Sequence, residues 1–183
     1  MPTEHEYKYV LSLDILEDSY PWHLPHQMAE ICQGYISPET VNLRVRKKTQ
    51  YFRTEWYITF KQKVGDRTIE LESDIDSRDG EDLWRICVRK LTKTRHTFHM
   101  DGLLSGLELD VFLAENDRLP YFAMAEVEMP EGASPPNLPE WLRWHVLFEV
   151  PLTDDRFSNK MLGDQQYACE LYKTLRDIKL QRS

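Results

Sequence analysis

The sequence predicts an α+β protein, a single domain over residues 1–183, built on a closed antiparallel sheet with a charged, water-filled interior and helices packed outside. Two observations carry that prediction. Strand-length segments repeatedly alternate an aliphatic or aromatic residue with a charged one, and residues two apart in a strand point to the same face. Within most of these segments the charged face has one sign, whereas a sheet facing bulk water would mix Lys, Glu, Thr and Ser. A barrel with a basic wall and an acidic wall inside, its apolar outer faces covered by helices, accounts for both.

The first strand is Glu4-His5-Glu6-Tyr7-Lys8, with Glu4, Glu6 and Lys8 on one face and Tyr7, Tyr9 and Leu11 on the other. Alone it fits a solvated edge strand; it gains meaning because later strands repeat the pattern. Residues 21–35 place Trp22, Leu24, Met28, Ala29 and Ile31 at roughly helical spacing and stop at Gly34, which predicts a short helix. In residues 41–46, Asn42, Arg44 and Arg46 share a face opposite Val41, Leu43 and Val45. Residues 56–61 and 69–72 form a predicted hairpin around Val64-Gly65-Asp66 and contribute Lys61, Glu70 and Glu72.

Ser77-Arg78-Asp79 offers capping side chains ahead of a stripe of Leu83, Trp84, Ile86, Cys87 and Leu91, a second predicted helix. The β-branched segment 92–98 places Lys93 and Arg95 on one face. Leu107-Glu108-Leu109-Asp110-Val111 and Ala125-Glu126-Val127-Glu128-Met129 each set acids opposite aliphatics. Pro130, Pro135, Pro136 and Pro139 assign residues 130–139 to a surface loop. Residues 162–180 align Ala168, Leu171, Leu175 and Ile178, with Lys173, Arg176 and Lys179 towards the end that a helix dipole favours, which predicts a C-terminal helix.

A content of 41% hydrophobic and 30% charged residues suits one folded domain. The net charge of −8 argues against extended nucleic acid as a partner, so any polyanion must be met by a local basic pocket. Cys32, Cys87 and Cys169 form no C-x-x-C pair, which points to a reducing, cytoplasmic setting without disulfides or a zinc site. Neither a signal pattern nor an apolar run of membrane-spanning length is present, so no membrane association is expected. Trp22, Trp56, Trp84, Trp141 and Trp144 read as packing residues and Cys87 as a small core residue. His96 and His99 fall on opposite faces of a strand and do not read as a metal pair.

Arginines and lysines converging in a confined space repel one another unless a polyanion occupies it, and guanidinium groups suit bidentate phosphate contact. A chain of phosphates is the natural ligand. Opposed carboxylates need cations in turn, and Mg2+ or Mn2+ held by carboxylates and phosphate oxygens is the usual solution. Attack of water on a terminal phosphoryl group is then the simplest reaction.

Glu4-His5-Glu6-Tyr7-Lys8, Gln33-Gly34-Tyr35, Leu43-Arg44-Val45-Arg46, Thr59-Phe60-Lys61, Lys93-Thr94-Arg95, Glu108-Leu109-Asp110-Val111-Phe112, Glu126-Val127-Glu128 and Asn159-Lys160, in this order, resemble the motifs of the CYTH, or triphosphate tunnel metalloenzyme, superfamily, and its small bacterial members most closely. The resemblance implies an eight-stranded antiparallel tunnel that binds a small-molecule triphosphate with Mg2+ or Mn2+, as a monomer or homodimer. It implies phosphate contacts from Lys8, Arg44, Arg46, Lys61, Lys93 and Arg95, with Lys160 near the tunnel mouth, and catalytic roles for Lys8, Lys93 and Arg95. It implies metal coordination by Glu4, Glu6, Glu126 and Glu128, with Glu70, Glu72 and Asp110 at further acidic positions; Glu108 is either a ligand or a polar lining residue. His5-Glu6-Tyr7 stands where Ile-Glu-Arg is common, and His96 where Tyr usually follows, which bears on substrate preference.

The activity so implied is hydrolysis of inorganic tripolyphosphate to pyrophosphate and orthophosphate. The alternatives are an adenylyl cyclase of the related class, a thiamine or nucleoside triphosphatase, and a non-catalytic polyphosphate-binding module. Related cyclases carry a His-Phe pair several residues before E-x-E-x-K; here Met1, Pro2 and Thr3 precede Glu4, so hydrolysis is the expected outcome.

Overall fold

The computed structural model describes residues 4–17, 22–36, 42–65, 67–100, 106–130 and 132–182. Sequence readings that fall on Pro21, Val41, Asp66 and 131 lie outside these, as does the Glu4 side chain. Strands β1 (Glu4–Leu11), β2 (His26–Ile36), β3 (Leu43–Gln50), β4 (Arg53–Val64), β5 (Arg67–Ile75), β6 (Arg89–Phe98), β7 (Leu107–Leu113), β8 (Pro120–Pro130) and β9 (Val146–Val150) form one nine-stranded sheet. Its order is β5-β4-β3-β2-β6-β7-β8-β1-β9, and every pairing is antiparallel. Helices α1 (Ser77–Ile86), α2 (Glu140–Arg143), α3 (Asn159–Leu162) and α4 (Gln165–Arg182) complete the α+β class, and none is long and apolar enough to cross a membrane.

The closed eight-stranded barrel is not what forms. Among the described residues β5 and β9 stand at opposite ends of an open sheet. The edge of β1 that closure would need is taken by β9, through Lys8 opposite Val150 and Val10 opposite Phe148. Residues 26–36 form a strand where a helix is predicted. Ala29, Ile31, Gln33 and Tyr35 are buried at a period of two, and β3 and β6 hydrogen-bond to both edges, so ladder bonds override the local helical spacing. The β4–β5 hairpin turns as expected, with Gly65 at φ +61°.

Three apolar clusters fasten the sheet. On the face opposite the charges, Tyr9, Leu11, Leu107, Leu109, Val111, Ala123, Ala125 and Val127 pack with Ile15, Leu138 and Leu142. Farther along, Val45 and Trp56 meet Leu83 and Trp84 of α1, which comes so close that a Cβ on Gly80 would run into the Trp56 indole. Leu91, predicted to continue the α1 stripe, belongs to β6, and Ile86 is exposed. Trp144, predicted to pack, is 73% exposed.

The third cluster places α3 and α4 on the polar face rather than outside it. Val10, Leu91, Phe112, Phe122, Met124 and Val150 are in phase with the charged positions, and they pack with Phe157, Leu162, Ala168 and Leu175. The polar face is therefore charged in one part and apolar under α3 and α4 in the other. Ile178, the last residue of the predicted stripe, is 41% exposed.

Candidate functional site

Residues directly opposite in an antiparallel ladder put their side chains on the same face. Lys8 stands opposite Glu126, Glu126 opposite Glu108, and Glu6 opposite Glu128. Asp110 stands opposite Arg95 and Met124, and Lys93 opposite Phe112 and Ile31. Arg46 faces Gln33 and Tyr57, Arg44 faces Tyr35 and Thr59, Thr59 faces Glu72, and Lys61 faces Glu70. The described charged-face residues of the sequence reading thus share one face of one sheet, and β1 is an interior strand rather than a solvated edge. Glu4 is placed by its backbone opposite Pro130.

Within that face the side chains form two groups. The larger centres on Asp110, which is fully buried and accepts from Arg95 Nε (2.7 Å) and Nη2 (2.7 Å) and from the Lys93 ammonium. Arg95 also binds Glu126 (2.9 Å) and Glu108, and Lys8 lies 2.7 Å from Glu6 and 3.2 Å from Glu126. Burial opposes ionisation of Asp110, but Lys93 and Arg95 outweigh it and hold its carboxyl well below the ordinary range. Burial lowers the Lys93 ammonium against the pull of Asp110. For Lys8 burial loses instead: Glu126 and Glu6 push its pKa up to about 12. Glu108 is raised by burial, with Asp110 and Glu126 adding repulsion that Arg95 only partly offsets.

The second group is Arg44, Arg46, Thr59 and Glu72. Arg44 Nη2 donates to Thr59 Oγ1 (3.1 Å) and Glu72 (3.3 Å), and Thr59 donates to Glu72 at 2.7 Å. Burial would raise Glu72, but the Thr59 hydroxyl, Arg46 and Arg44 bring it below its ordinary value. Of Lys8, Arg44, Arg46, Lys61, Lys93 and Arg95, Arg46 alone makes no ion pair with a described residue. Its Nε is buried without a hydrogen-bond partner, as is that of Arg44. Burial, then Arg44, lowers its pKa.

Lys61 and Glu70 do not join either group; they pair with each other at 2.8 Å on the exposed β4–β5 rim. Lys160 lies on α3, and its carbonyl accepts from Arg89 Nη1 at 3.1 Å. Four contributors stand in the quoted motifs but have no role of their own in the sequence reading. Thr59 was discoverable, being in phase with Lys61. Gln33 and Tyr35 were hidden by the helix assignment, although their period of two with Ala29 and Ile31 was there to find. Asn159, whose Oδ1 accepts from Lys93 Nζ at 3.0 Å, carries no local signal beyond Ser158 capping the turn.

The acids offer only oxygen donors, which suits a hard divalent cation. Glu6, Glu126, Glu128 and Glu108 fit as a set through their facing register, and the repulsion among Glu108, Asp110 and Glu126 favours a cation. Asp110 fits less well, because Lys93 and Arg95 occupy both its oxygens. As the side chains stand, no three His, Cys, Asp or Glu among the described residues converge closely enough to hold a metal, since Glu6 and Glu126 turn onto Lys8 and Arg95.

Likeness to solved structures supports a CYTH-like, or triphosphate tunnel metalloenzyme-like, fold for this sheet. The crystal structure of the inorganic triphosphatase NE1496 superposes with a TM-score of 0.58 at 28% identity, covering 89% of this chain and 95% of that one. A second crystal structure of NE1496, there called a hypothetical protein, gives 0.57 at 28% identity, covering 88% and 97%. A putative adenylate cyclase from Bacillus halodurans gives 0.45 at 12% identity, covering 70% and 81%. No protein-family model and no curated protein matches the chain.

Proposed function

We propose that this chain hydrolyses inorganic tripolyphosphate to pyrophosphate and orthophosphate, with Mg2+ or Mn2+, in the cytoplasm. Triphosphate hydrolysis in general is supported by the likeness to the inorganic triphosphatase NE1496. The observation that carries the reading further is Arg46, a half-buried guanidinium beside Arg44 whose Nε has no hydrogen-bond partner and which makes no ion pair with a described residue, the attraction of Glu72 being outweighed by burial and Arg44. A cation left so is costly until an anion arrives, and two neighbouring guanidiniums suit successive phosphates.

Arg44 and Arg46 bind and orient the phosphate chain in this reading, with Lys61 at the rim. Lys8, Lys93 and Arg95 stabilise charge that develops on the attacked phosphoryl group, their positions fixed through Asp110 and Glu126. Glu6, Glu126 and Glu128, with Glu108, would hold the metal, which supplies charge neutralisation on the phosphate oxygens when bound. No stacking platform for a base adjoins the charged groups in the sequence pattern, which favours the inorganic substrate.

A phosphate-release screen over tripolyphosphate, ATP, GTP and thiamine triphosphate, each with Mg2+ and Mn2+, tests this. Tripolyphosphate should be turned over fastest and only with metal. No phosphate from any of the four would refute hydrolysis.

A further inference from the structure

Lys93 is 1% exposed and heads the fully buried side chains by volume among the described residues. A buried ammonium must be met donor by donor, and it has three donors. One goes to Asp110, a second goes to Asn159 Oδ1 at 3.0 Å, and the Phe112 ring lies 5.4 Å from Nζ. One N–H direction remains.

Asn159 is not part of the sheet. It opens α3, where the Ser158 hydroxyl accepts from Met161 N–H (3.4 Å). Two further bonds among the described residues tie α3 to the strands: Arg89 Nη1 donates to the Lys160 carbonyl (3.1 Å) and the Tyr121 hydroxyl to the Leu162 carbonyl (3.0 Å). Neighbouring Arg95 needs no such help, because its planar fork grips both Asp110 oxygens and cannot pivot. The lysine head is compact and rotates freely about its last bond, so Asp110 alone would leave its remaining donors undirected. A second acceptor fixes the rotation. A neutral amide does this without adding a charge that would compete with phosphate for the ammonium.

We infer that Asn159 is a positioning residue, which sets the rotation of the Lys93 ammonium so that its remaining N–H meets the triphosphate as it reacts. The inference rests on the triphosphatase reading above and adds that the α3 segment completes the site. A merely structural bond would tie α3 down and leave turnover alone.

The test compares phosphate release from tripolyphosphate by wild type, Asn159→Ala, Asn159→Asp and Tyr121→Phe, each also melted with and without tripolyphosphate. Tyr121→Phe removes an α3 tether remote from the charges, so it should lower the melting temperature and keep kcat. Asn159→Ala should lose roughly 10- to 100-fold in kcat, the scale of a small misplacement of a catalytic group, with KM close to wild type and the ligand-induced melting shift retained. Asn159→Asp restores an acceptor of the same shape and should recover most of kcat, with KM raised by the added negative charge. Wild-type kcat in Asn159→Ala, or equal loss in Asn159→Ala and Asn159→Asp, would overturn the inference while leaving the triphosphatase reading intact. Absence of phosphate release by wild type itself would overturn both.

Discussion

Replacing Arg46 with methionine should stabilise the ligand-free protein and weaken its response to tripolyphosphate. The buried Nε has no hydrogen-bond partner among the described residues, and burial and Arg44 oppose the guanidinium more than Glu72, itself bonded to Arg44 and Thr59, attracts it. An unsatisfied buried donor costs about 1–3 kcal/mol, and methionine keeps most of the packing of the arginine stem. After some loss of packing, a gain of roughly 1 kcal/mol remains, which is about 2–4 °C in Tm for a chain of this size. Tripolyphosphate at 100 times its Kd should add about 2.7 kcal/mol to wild type by mass action. Loss of one charge-assisted contact worth about 1.5–3 kcal/mol weakens binding roughly 10- to 100-fold, so the same ligand concentration adds only about 0.4–1.4 kcal/mol to the variant. Differential scanning fluorimetry with and without tripolyphosphate reads both numbers. Arg44→Met is the comparison: its Nε is equally unpartnered, but losing the Nη2 bonds to Thr59 and Glu72 offsets that relief, so it should gain less stability than Arg46→Met. An Arg46→Met protein that melts below wild type and keeps the full ligand shift would refute the anion site.

Glu128→Gln should fold normally and lose metal-dependent turnover by about 100-fold or more, measured by phosphate release over a range of Mg2+ concentrations; wild-type rates would show that the acidic positions have been misassigned. His96, whose pKa is pushed down to about 4 by burial and then by His26, stays neutral in the fold where an unfolded His takes a proton. Wild type should therefore lose stability as pH falls from about 6.5 towards about 4, and His96→Leu should flatten the melting temperatures across that window; equal slopes would remove His96 as the cause. With ATP and Mn2+ the products should be ADP and orthophosphate, formed more slowly than phosphate from tripolyphosphate; chromatography showing cyclic AMP with equal pyrophosphate would replace hydrolysis with cyclisation.

The charged face was legible because its signal has a period of two, and that period survives wherever acids or bases alternate with aliphatics. Each such pair, from Glu6 and Lys8 to Glu126 and Glu128, reached the same face. The signal fails where apolar or uncharged residues take that face: β2 turns Ala29, Ile31, Gln33 and Tyr35 inward, and under α3 and α4 β9 presents Phe148 and Val150, so no alternation of charge is left to read. Closure was equally beyond reach, because it depends on which edges meet. A Val-Leu-Phe-Glu-Val run that pairs with β1 keeps β5 from doing so. The sequence also ranks Lys61 with Lys93, although one sits half-exposed on the rim and the other is buried and bonded to Asp110 and Asn159. Phase along a strand says which face a side chain takes, and it is silent about depth.

Depth changes what the acids do. A face holding Lys8, Lys93 and Arg95 together could not stay folded on apolar packing alone, since each buried cation needs a partner. Asp110 and Glu126 fill that need from within the sheet, at 0% and 3% exposure. Glu126 therefore serves folding before it serves any ligand, and removing its charge leaves Lys8 with Glu6 alone and takes one of the three carboxylates from Arg95. A fall in turnover on Glu126→Gln mixes a lost carboxylate with displaced bases. Glu128 is exposed and opposes Glu6 across β1 and β8, so its substitution probes the acidic positions while the buried Asp110 and Glu126 keep their contacts with Lys8, Lys93 and Arg95. If both variants lose turnover but only Glu126→Gln loses melting temperature, the acids divide into those that hold the bases and those that answer to the metal.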